Sequence, residues 1–298
     1  MASTKEIKNR IKSVGDTQKI TNAMYLISST KMRKARRDAE ETRPYFTLLR
    51  REIRRMFAVG KDFKSRYYDA DVDETRAGGR NGILVITGDK GLAGAYNQNV
   101  IRETLALVER SDDCKLYIVG DFGWRYFRGH EANVCESFSH SMNKPSLAMA
   151  RDITRELLDE FDDDEFDRLY VCYTEYTGGM STGTAAYDRL MPFDKDDFVP
   201  EGEETGEDAE AVFEYEPDVA TVLERSMQSY LVGYVYSALV NSYSSEQSAR
   251  MMAMDSANEN AGALLDELKL EYNHLRQNAI TQEITEVSSG ARSLKGRR

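Results

Sequence analysis

A glycine-rich stretch near the middle of the chain is the first place where the residue types could do chemistry. Gly88, Gly91 and Gly94 follow a short apolar run and precede an amphipathic segment, an arrangement that often binds phosphate. Their spacing matches neither the dinucleotide fingerprint nor the phosphate loop that ends in Gly-Lys-Ser/Thr. No acidic residue is placed for a ribose either. We interpret the glycines as a tight strand-to-helix turn and predict no cofactor, with nucleotide binding as the alternative.

The other reactive side chains are scattered along the chain. The three cysteines, Cys114, Cys135 and Cys172, are 21 and 37 residues apart, which is neither a metal spacing nor a disulfide framework. This cysteine usage indicates a reducing cytoplasm. The stretch Ser139-His140-Ser141 lacks distant partners for nucleophilic catalysis, and the acidic runs resemble solvated loops rather than general acids. We therefore predict neither catalytic residues nor a metal site.

Charge is distributed very unevenly along the chain. Its 298 residues carry a net charge of −11, yet residues 1–57 hold 15 lysines and arginines against 6 acidic residues, a net of +9. A basic helix on an acidic body suggests an acidic partner. Nucleic acid fits the charge, but Tyr25 is the only aromatic residue between Lys5 and Arg43, so a base-stacking platform is missing. We also expect no bilayer span and no secretory signal or transit peptide.

The N-terminal segment has the pattern of a long helix. No proline occurs from Thr4 to Arg43, and ten positions alternate spacings of four and three. This first seam consists of Ile7, Ile11, Val14, Gln18, Thr21, Tyr25, Ser28, Met32, Ala35 and Ala39. A second seam of Ile20, Met24 and Ile27 runs beside it, so the helix is predicted to meet neighbours on more than one side. Pro44 is expected to bend or restart the helix, which then continues to Phe57.

The C-terminal segment predicts a second, longer helix. Proline is absent from Asp218 onward, and a helix from 218 to 288 would be about 100 Å long. Its seam consists of Ala257, Ala261, Leu264, Leu268 and Leu275, and Ile280, Ile284 and Val287 follow on a shifted face. The simplest arrangement pairs both terminal helices as an antiparallel coiled coil.

Strand and helix patterns alternate between the two terminal segments. Strands are predicted at 82–87, 115–120 and 168–176, and helices at 100–110, 122–127 and 145–161. Such alternation predicts a doubly wound, Rossmann-like α/β domain inserted into the coiled coil. The predicted division is 1–58 helix, 59–80 linker, 81–198 α/β domain, 199–217 acidic loop and 218–298 helix. The end of the acidic loop, where Phe213 and Tyr215 alternate with acidic residues, could form a strand.

Several motifs in chain order resemble the ATP synthase gamma subunit of bacterial type. They lie in residues Lys5–Val14, Thr17–Met24, Lys31–Lys34, Arg43–Tyr45, Gly88–Asn97, Ser245–Met251, Met254, Asn260–Ala261, Tyr272–Asn273, Arg276–Gln277, Ile280–Glu286 and Ser289–Ala291. The resemblance covers both ends and the middle of the chain, and its match is strongest toward the C-terminus.

This resemblance implies a rotary shaft that does no chemistry of its own. In the family, the paired terminal helices stand inside a ring of alpha and beta subunits, and the inserted domain lies near the epsilon subunit and the membrane rotor ring of c subunits. Rotation of the shaft drives the nucleotide sites on beta through different conformations. The implied location is the cytoplasmic face of the cell membrane, as a peripheral part of the synthase.

The resemblance also implies which residues meet partners. Contacts with the alpha/beta ring are expected at Met24, Lys31, Arg33, Lys34, Arg250, Gln277, Thr281 and Glu286, and contacts with the epsilon and rotor-ring side at Phe213 and Tyr215.

The chain departs from the family pattern in several places. It adds a basic tail at 292–298, enlarges the acidic stretch 201–210, carries Tyr25 where an acidic residue is common, and lacks the regulatory cysteine insertion of chloroplast relatives. The sequence leaves the coupling ion open, proton or sodium, and also the dominant direction of catalysis.

Overall fold

The computed structural model describes residues 4–59, 67–68, 79–130, 132–176, 178, 182–193, 198 and 214–295. Their contacts group into two compact units. The terminal unit consists of Met1–Ser28 and Met251–Arg298, and the sheet-bearing unit consists of Ser29–Arg250. Each unit is described by itself.

Five helices and four strands make up the described chain. The helices are α1 (Thr4–Val59), α2 (Tyr96–Glu109), α3 (Asp121–Arg128), α4 (Leu147–Asp162) and α5 (Val219–Lys295). The strands are β1 (Arg80–Ile86), β2 (Asp113–Val119), β3 (Arg168–Glu175) and β4 (Thr184–Met191). The helices predicted at both ends of the chain and the three strands and three helices predicted between 82 and 176 are present, with ends shifted by a few residues.

Pro44 lies inside α1, and the helix is continuous across it. Of the two predicted effects of Pro44, a bend or a restart of the helix, the restart does not occur. A proline removes only one intrahelical hydrogen bond, and tertiary packing can offset that loss. Here Ile53 and Met56 of the same helix are fully buried in the core of the sheet-bearing unit, which holds the segment beyond the proline in place.

The sheet-bearing unit contains one mixed sheet with the strand order β2-β1-β3-β4. β1 pairs in parallel with both β2 and β3, as the strand–helix alternation predicted. β4 pairs antiparallel to β3 and was not predicted. Its sequence, TAAYDRLM, is half-exposed over most of its length and so lacks the continuous apolar run that marked the other strands.

The side chains of β1 from Ile83 to Ile86 show why this part of the strand reads as a continuous apolar run. Leu84 and Ile86 lie in one core cluster with residues of α1, α4 and α5, whereas Ile83 and Val85 lie in a second cluster with residues of α2 and α3. Helices therefore cover both faces of the sheet, and consecutive side chains in this part of the strand are apolar.

Residues of the predicted linker and residues that flank the acidic stretch also belong to this unit. Tyr67 and Tyr68, inside the predicted linker, are buried, and the Phe193 amide donates a hydrogen bond of 2.8 Å to the Tyr67 carbonyl. Tyr215 lies in irregular structure rather than in a strand, and Phe213 lies outside the described residues.

In the terminal unit, the two ends of the chain lie side by side. Gln18 Nε2 donates to the Asn258 carbonyl at 3.3 Å, and the Thr21 hydroxyl bonds to Asn258 Oδ1. Ile7 and Leu268 are each only 3% exposed. All first-seam residues in this unit are buried or half-buried, as are the five residues of the α5 seam.

Candidate functional site

The glycine loop, residues Gly88–Gly94, follows β1 and is joined tightly to the end of β2. The Thr87 hydroxyl donates to the Val119 carbonyl at 3.0 Å and accepts from the Gly123 amide at 3.0 Å. Gly120 adopts a positive φ of 96°, and a Cβ there would lie 2.2 Å from the Thr87 carbonyl oxygen. The close approach of the two strand ends therefore requires glycine at this position.

Asp89, the acidic side chain of the glycine loop, is used for structure. Its carboxylate accepts hydrogen bonds from the Met142 amide at 2.8 Å, the Asp121 amide at 3.2 Å and the Ser141 hydroxyl at 2.6 Å. The Ser139–Ser141 stretch thus contributes a hydroxyl that fixes a loop. His140 bonds to Glu156 at 3.1 Å.

The inner side of the glycine loop faces a buried ion pair on α5. Arg250 Nη2 donates to Glu246 Oε1 at 2.5 Å, to the Gly91 carbonyl at 3.2 Å and to the Lys90 carbonyl at 3.4 Å. A Cβ on Gly88 would lie 2.8 Å from the Glu246 carboxyl group. Burial raises the pKa of Glu246 above its usual range, and the charge and hydrogen bonds of Arg250 oppose that rise.

This geometry is unsuited to a phosphate group. A phosphate loop points backbone N–H groups at its ligand, whereas this loop points two carbonyl oxygens at Arg250. The Gly88 amide already donates to Asn97 Oδ1 at 2.9 Å. The Glu246 carboxylate beside Gly88 would also repel an anion. The glycines serve the close packing of loop against helix.

A polar segment of α5 is buried around the whole helix. From Ser242 to Met251 every residue is buried, and most of them are polar: Ser242, Ser244, Ser245, Glu246, Gln247, Ser248 and Arg250. The Ser242 hydroxyl accepts from the Thr174 amide of β3 at 3.1 Å. Sequence patterns did not predict this burial, because a run of serines and charged residues ordinarily indicates an exposed face.

The end of α5 has the opposite character. From Arg276 to Ser289 every residue is exposed, including the apolar Ile280, Ile284 and Val287. Ile284 is 64% and Val287 is 74% exposed. The second seam on α1 is partly exposed as well. Its Ile20 is 61% exposed, whereas its Met24 is half-buried. These apolar faces are not covered within the terminal unit.

The residues expected at partner contacts occupy different environments. Lys31, Arg33 and Lys34 are exposed on α1 in the sheet-bearing unit, whereas Gln277, Thr281 and Glu286 are exposed on α5 in the terminal unit. Arg250 differs from them, because it is buried and bonded to the glycine loop. Tyr215 is half-exposed, and burial, followed by the charge of Glu52, raises its pKa.

Neither a metal cluster nor a membrane-spanning helix is found in the part of the chain that the structure describes. That part holds no group of three or more histidine, cysteine or acidic residues arranged for a metal ion. None of its helices combines the length and the apolar character needed to cross a bilayer. Its notable features are a braced glycine loop and exposed apolar side chains at the end of α5.

Comparison with known proteins identifies the family. The family model for ATP synthase matches residues 3–294. An ATP synthase gamma chain of Acetivibrio thermocellus is 37% identical over 298 residues, covering 99% of this chain and 100% of the relative. The chain therefore belongs to the ATP synthase gamma-chain family, which confirms the resemblance seen in the sequence. It is a non-catalytic rotor subunit of the central stalk of an ATP synthase.

Solved structures agree in fold. A chain from the Euglena gracilis mitochondrial ATP synthase, a structure of OSCP, F1 and c-ring in rotational state 3, matches with a TM-score of 0.66 and 16% identity, covering 98% of this chain and 94% of that one. A chain from the central stalk and c-ring of the Tetrahymena thermophila enzyme matches with a TM-score of 0.57 and 20% identity, covering 80% and 99%.

Proposed function

We propose that this chain is the turning shaft of a bacterial ATP synthase, coupling ion flow through the membrane rotor ring to the cycling of nucleotide sites on the beta subunits. The proposed architecture is an antiparallel coiled coil of the helices at 1–58 and 218–298, with a Rossmann-like α/β domain at 81–198 inserted between them. Residues 59–80 and 199–217 join these parts. The side-by-side helices in the terminal unit and the two helix-covered sheet faces support this description.

The uncovered end of α5 is the observation that carries the proposal. An isolated helix in water is marginally stable, and its apolar side chains gain free energy only when a partner covers them. Residues 276–289 are all exposed, yet they continue a regular helix. A surrounding ring of alpha and beta subunits would supply the missing contacts. Gln277, Thr281 and Glu286 on this segment are the proposed polar contacts with that ring.

The basic face of α1 is the proposed contact with an acidic lever on beta. Lys31, Arg33 and Lys34 are exposed within a few residues of one another, and they belong to the segment with a net charge of +9. Their long-range attraction would be screened beyond about 8 Å at physiological salt, so they act at close range. Met24, half-buried on the same helix, is the proposed apolar contact.

The sheet-bearing unit is proposed to face the epsilon subunit and the c-ring. Tyr215 is the described residue on that side, and Phe213 of the same contact lies outside the described residues. The subunit would then be peripheral at the cytoplasmic face of the cell membrane.

Assembly with the other subunits tests the proposal. Co-expression with alpha and beta should give a complex with one copy of this chain, measured by native mass spectrometry, and the chain alone should not hydrolyse ATP. Changing Ile280, Ile284 and Val287 together to glutamine should lower the yield of that complex severalfold. Leu48→Gln changes an equally exposed apolar residue outside the proposed ring contact and serves as the control. Wild-type yield from the triple variant would contradict the ring contact.

A nucleotide-binding enzyme is the competing function. Equilibrium dialysis of the isolated chain with ATP or NAD decides between them. Tight binding would favour the enzyme, whereas the carboxylate of Glu246 beside Gly88 leads us to expect none.

A further inference from the structure

We propose that Arg250 is a positioning residue: together with Glu246 it fastens the glycine loop Gly88–Gly94 to α5, so that loop and helix move as one body. The contacts behind this inference all lie in the sheet-bearing unit. Its consequence for the coupling of rotation to ATP hydrolysis rests on the proposed rotor function. It assigns Arg250 a role within the chain that differs from the direct ring contact implied by the resemblance.

The first support is the way the guanidinium is used. Arg250 Nη2 lies within hydrogen-bond distance of three oxygens, those of Glu246, Gly91 and Lys90, and two of them belong to the loop backbone. All three contacts are made by this one nitrogen, which lies at the far end of the long arginine side chain, between the Glu246 carboxylate and the loop carbonyls. The side chain is 10% exposed and that of Glu246 is 5% exposed, so water competes weakly for these bonds.

The second support is the shape of the loop at this point. Glu246 packs where a Cβ on Gly88 would stand, so only glycine admits the carboxylate to this position. The Gly88 amide donates to Asn97 at one end of the loop, and the Tyr96 amide donates to the Ala93 carbonyl at the other. The pair on α5 holds the middle of the loop between these two attachments.

The third support is the conformation of the loop's apex. Leu92 has a positive φ of 62° and is 65% exposed. A leucine in the left-handed region costs free energy and persists only where its surroundings determine the backbone. The carbonyl just before it, that of Gly91, is one of the two bound by Arg250. The ion pair therefore supplies the constraint that keeps Leu92 displayed in this conformation.

Replacing Arg250 by lysine is the sharpest test. Lysine keeps the positive charge beside Glu246, but its ammonium nitrogen ends one bond short of the place of Nη2 and is more strongly hydrated, so it should hold the two loop carbonyls less well. Arg102→Lys is the matched control, because Arg102 is exposed on α2 and its nearest acidic partner is Glu103. In the full-length chain, hydrogen exchange of the loop amides, including that of Gly88, and of the Tyr96 amide that bonds to the end of the loop should become about tenfold faster in Arg250→Lys. Exchange equal to that of the control would overturn the proposal.

A second readout separates positioning from mere stability. In inverted membrane vesicles that carry the assembled synthase, Arg250→Lys should lower the ions moved per ATP hydrolysed severalfold at unchanged yield of the complex. A looser loop with unchanged coupling would refute the positioning role. Should Arg250→Lys fail to fold by circular dichroism, Glu246→Gln gives the decision, because it keeps Arg250 and the side-chain size. Its loop exchange should rise two- to threefold, and exchange at the parent rate would contradict the proposal. Failure of the parent chain to assemble would reject the rotor function and leave the exchange result standing.

Discussion

Replacing Gly233 with alanine will destabilise the contact between α1 and α5 inside the sheet-bearing unit. A Cβ at this position would lie 2.1 Å from Cδ1 of Phe46, far inside contact distance. Overpacking of this kind costs about 1–3 kcal/mol, whereas alanine in place of a helical glycine gains roughly 1 kcal/mol. A groove of about 340 Å³ borders Phe46 and gives its ring some room to move. We therefore expect a net loss of about 1 kcal/mol.

Two comparisons isolate the steric term. Gly262→Ala places a Cβ 3.6 Å from Gln18, an ordinary contact, and should stabilise the terminal unit by roughly 1 kcal/mol. Phe46→Leu removes the ring, so Gly233→Ala in that background should be neutral or stabilising. The coupling between the two substitutions is expected to be about 1–2 kcal/mol.

Urea unfolding of the full-length chain measures these effects. Trp124 is the only tryptophan, and its place on α3 makes its fluorescence a reporter for the sheet-bearing unit. Circular dichroism at 222 nm follows the long helices in parallel. If Gly233→Ala stabilised the chain as much as Gly262→Ala, regardless of the residue at position 46, the packing argument would be refuted.

Three further substitutions or measurements test other parts of the structure. Leu268→Ala should cost the terminal unit about 2–4 kcal/mol by helix unfolding, while Leu270→Ala, 64% exposed, should cost almost nothing. Burial raises the pKa of Glu160, but the hydrogen bonds it accepts, the one from Lys115 included, lower it more, so its net pKa lies below its usual range. Lys115→Gln should therefore lose about 1–2 kcal/mol in urea unfolding at pH 7, and that difference should shrink as the pH falls through the lowered pKa of Glu160. Burial raises the pKa of the Cys172 thiol to about 12, so a thiol reagent at pH 8 should modify it only after unfolding.

The elements that were predictable from sequence are those whose pattern follows from local burial. β1 reads as a continuous apolar run because helices cover both of its faces. α5 was predictable because no proline interrupts it, and its seam residues are the less exposed ones. β4 was missed because its half-exposed residues acquire strand structure only by pairing with β3.

The pair formed by Glu246 and Arg250 could not be predicted from local pattern. Arg250 and the Lys90 carbonyl are separated by 160 residues in the sequence, and only the folded chain brings them together. A spacing of four between two opposite charges is ordinarily typical of an exposed pair on a helix surface. The three glycines of the loop and the two charged residues of α5 can each be seen in the sequence. Neither pattern indicates that the two groups of residues are in contact.

Two parts of α5 have a polarity that is unusual for their environment: one is polar and buried, and the other carries exposed apolar side chains. Both features suit the helix to its proposed role in transmitting motion. Where it is buried around its whole circumference, from Ser242 to Met251, it is mostly polar, and where it is uncovered, from Arg276 to Ser289, it carries isoleucine and valine. A smooth apolar contact would allow a helix to slide by one turn at modest cost, since the hydrophobic effect has no direction. The buried Arg250 opposes such a slip, because its partner Glu246 lies on the same helix and would move with it, whereas its hydrogen bonds to the Lys90 and Gly91 carbonyls would break. The polar segment thus fixes the helix to its own sheet domain, and the apolar segment is left for other chains to cover.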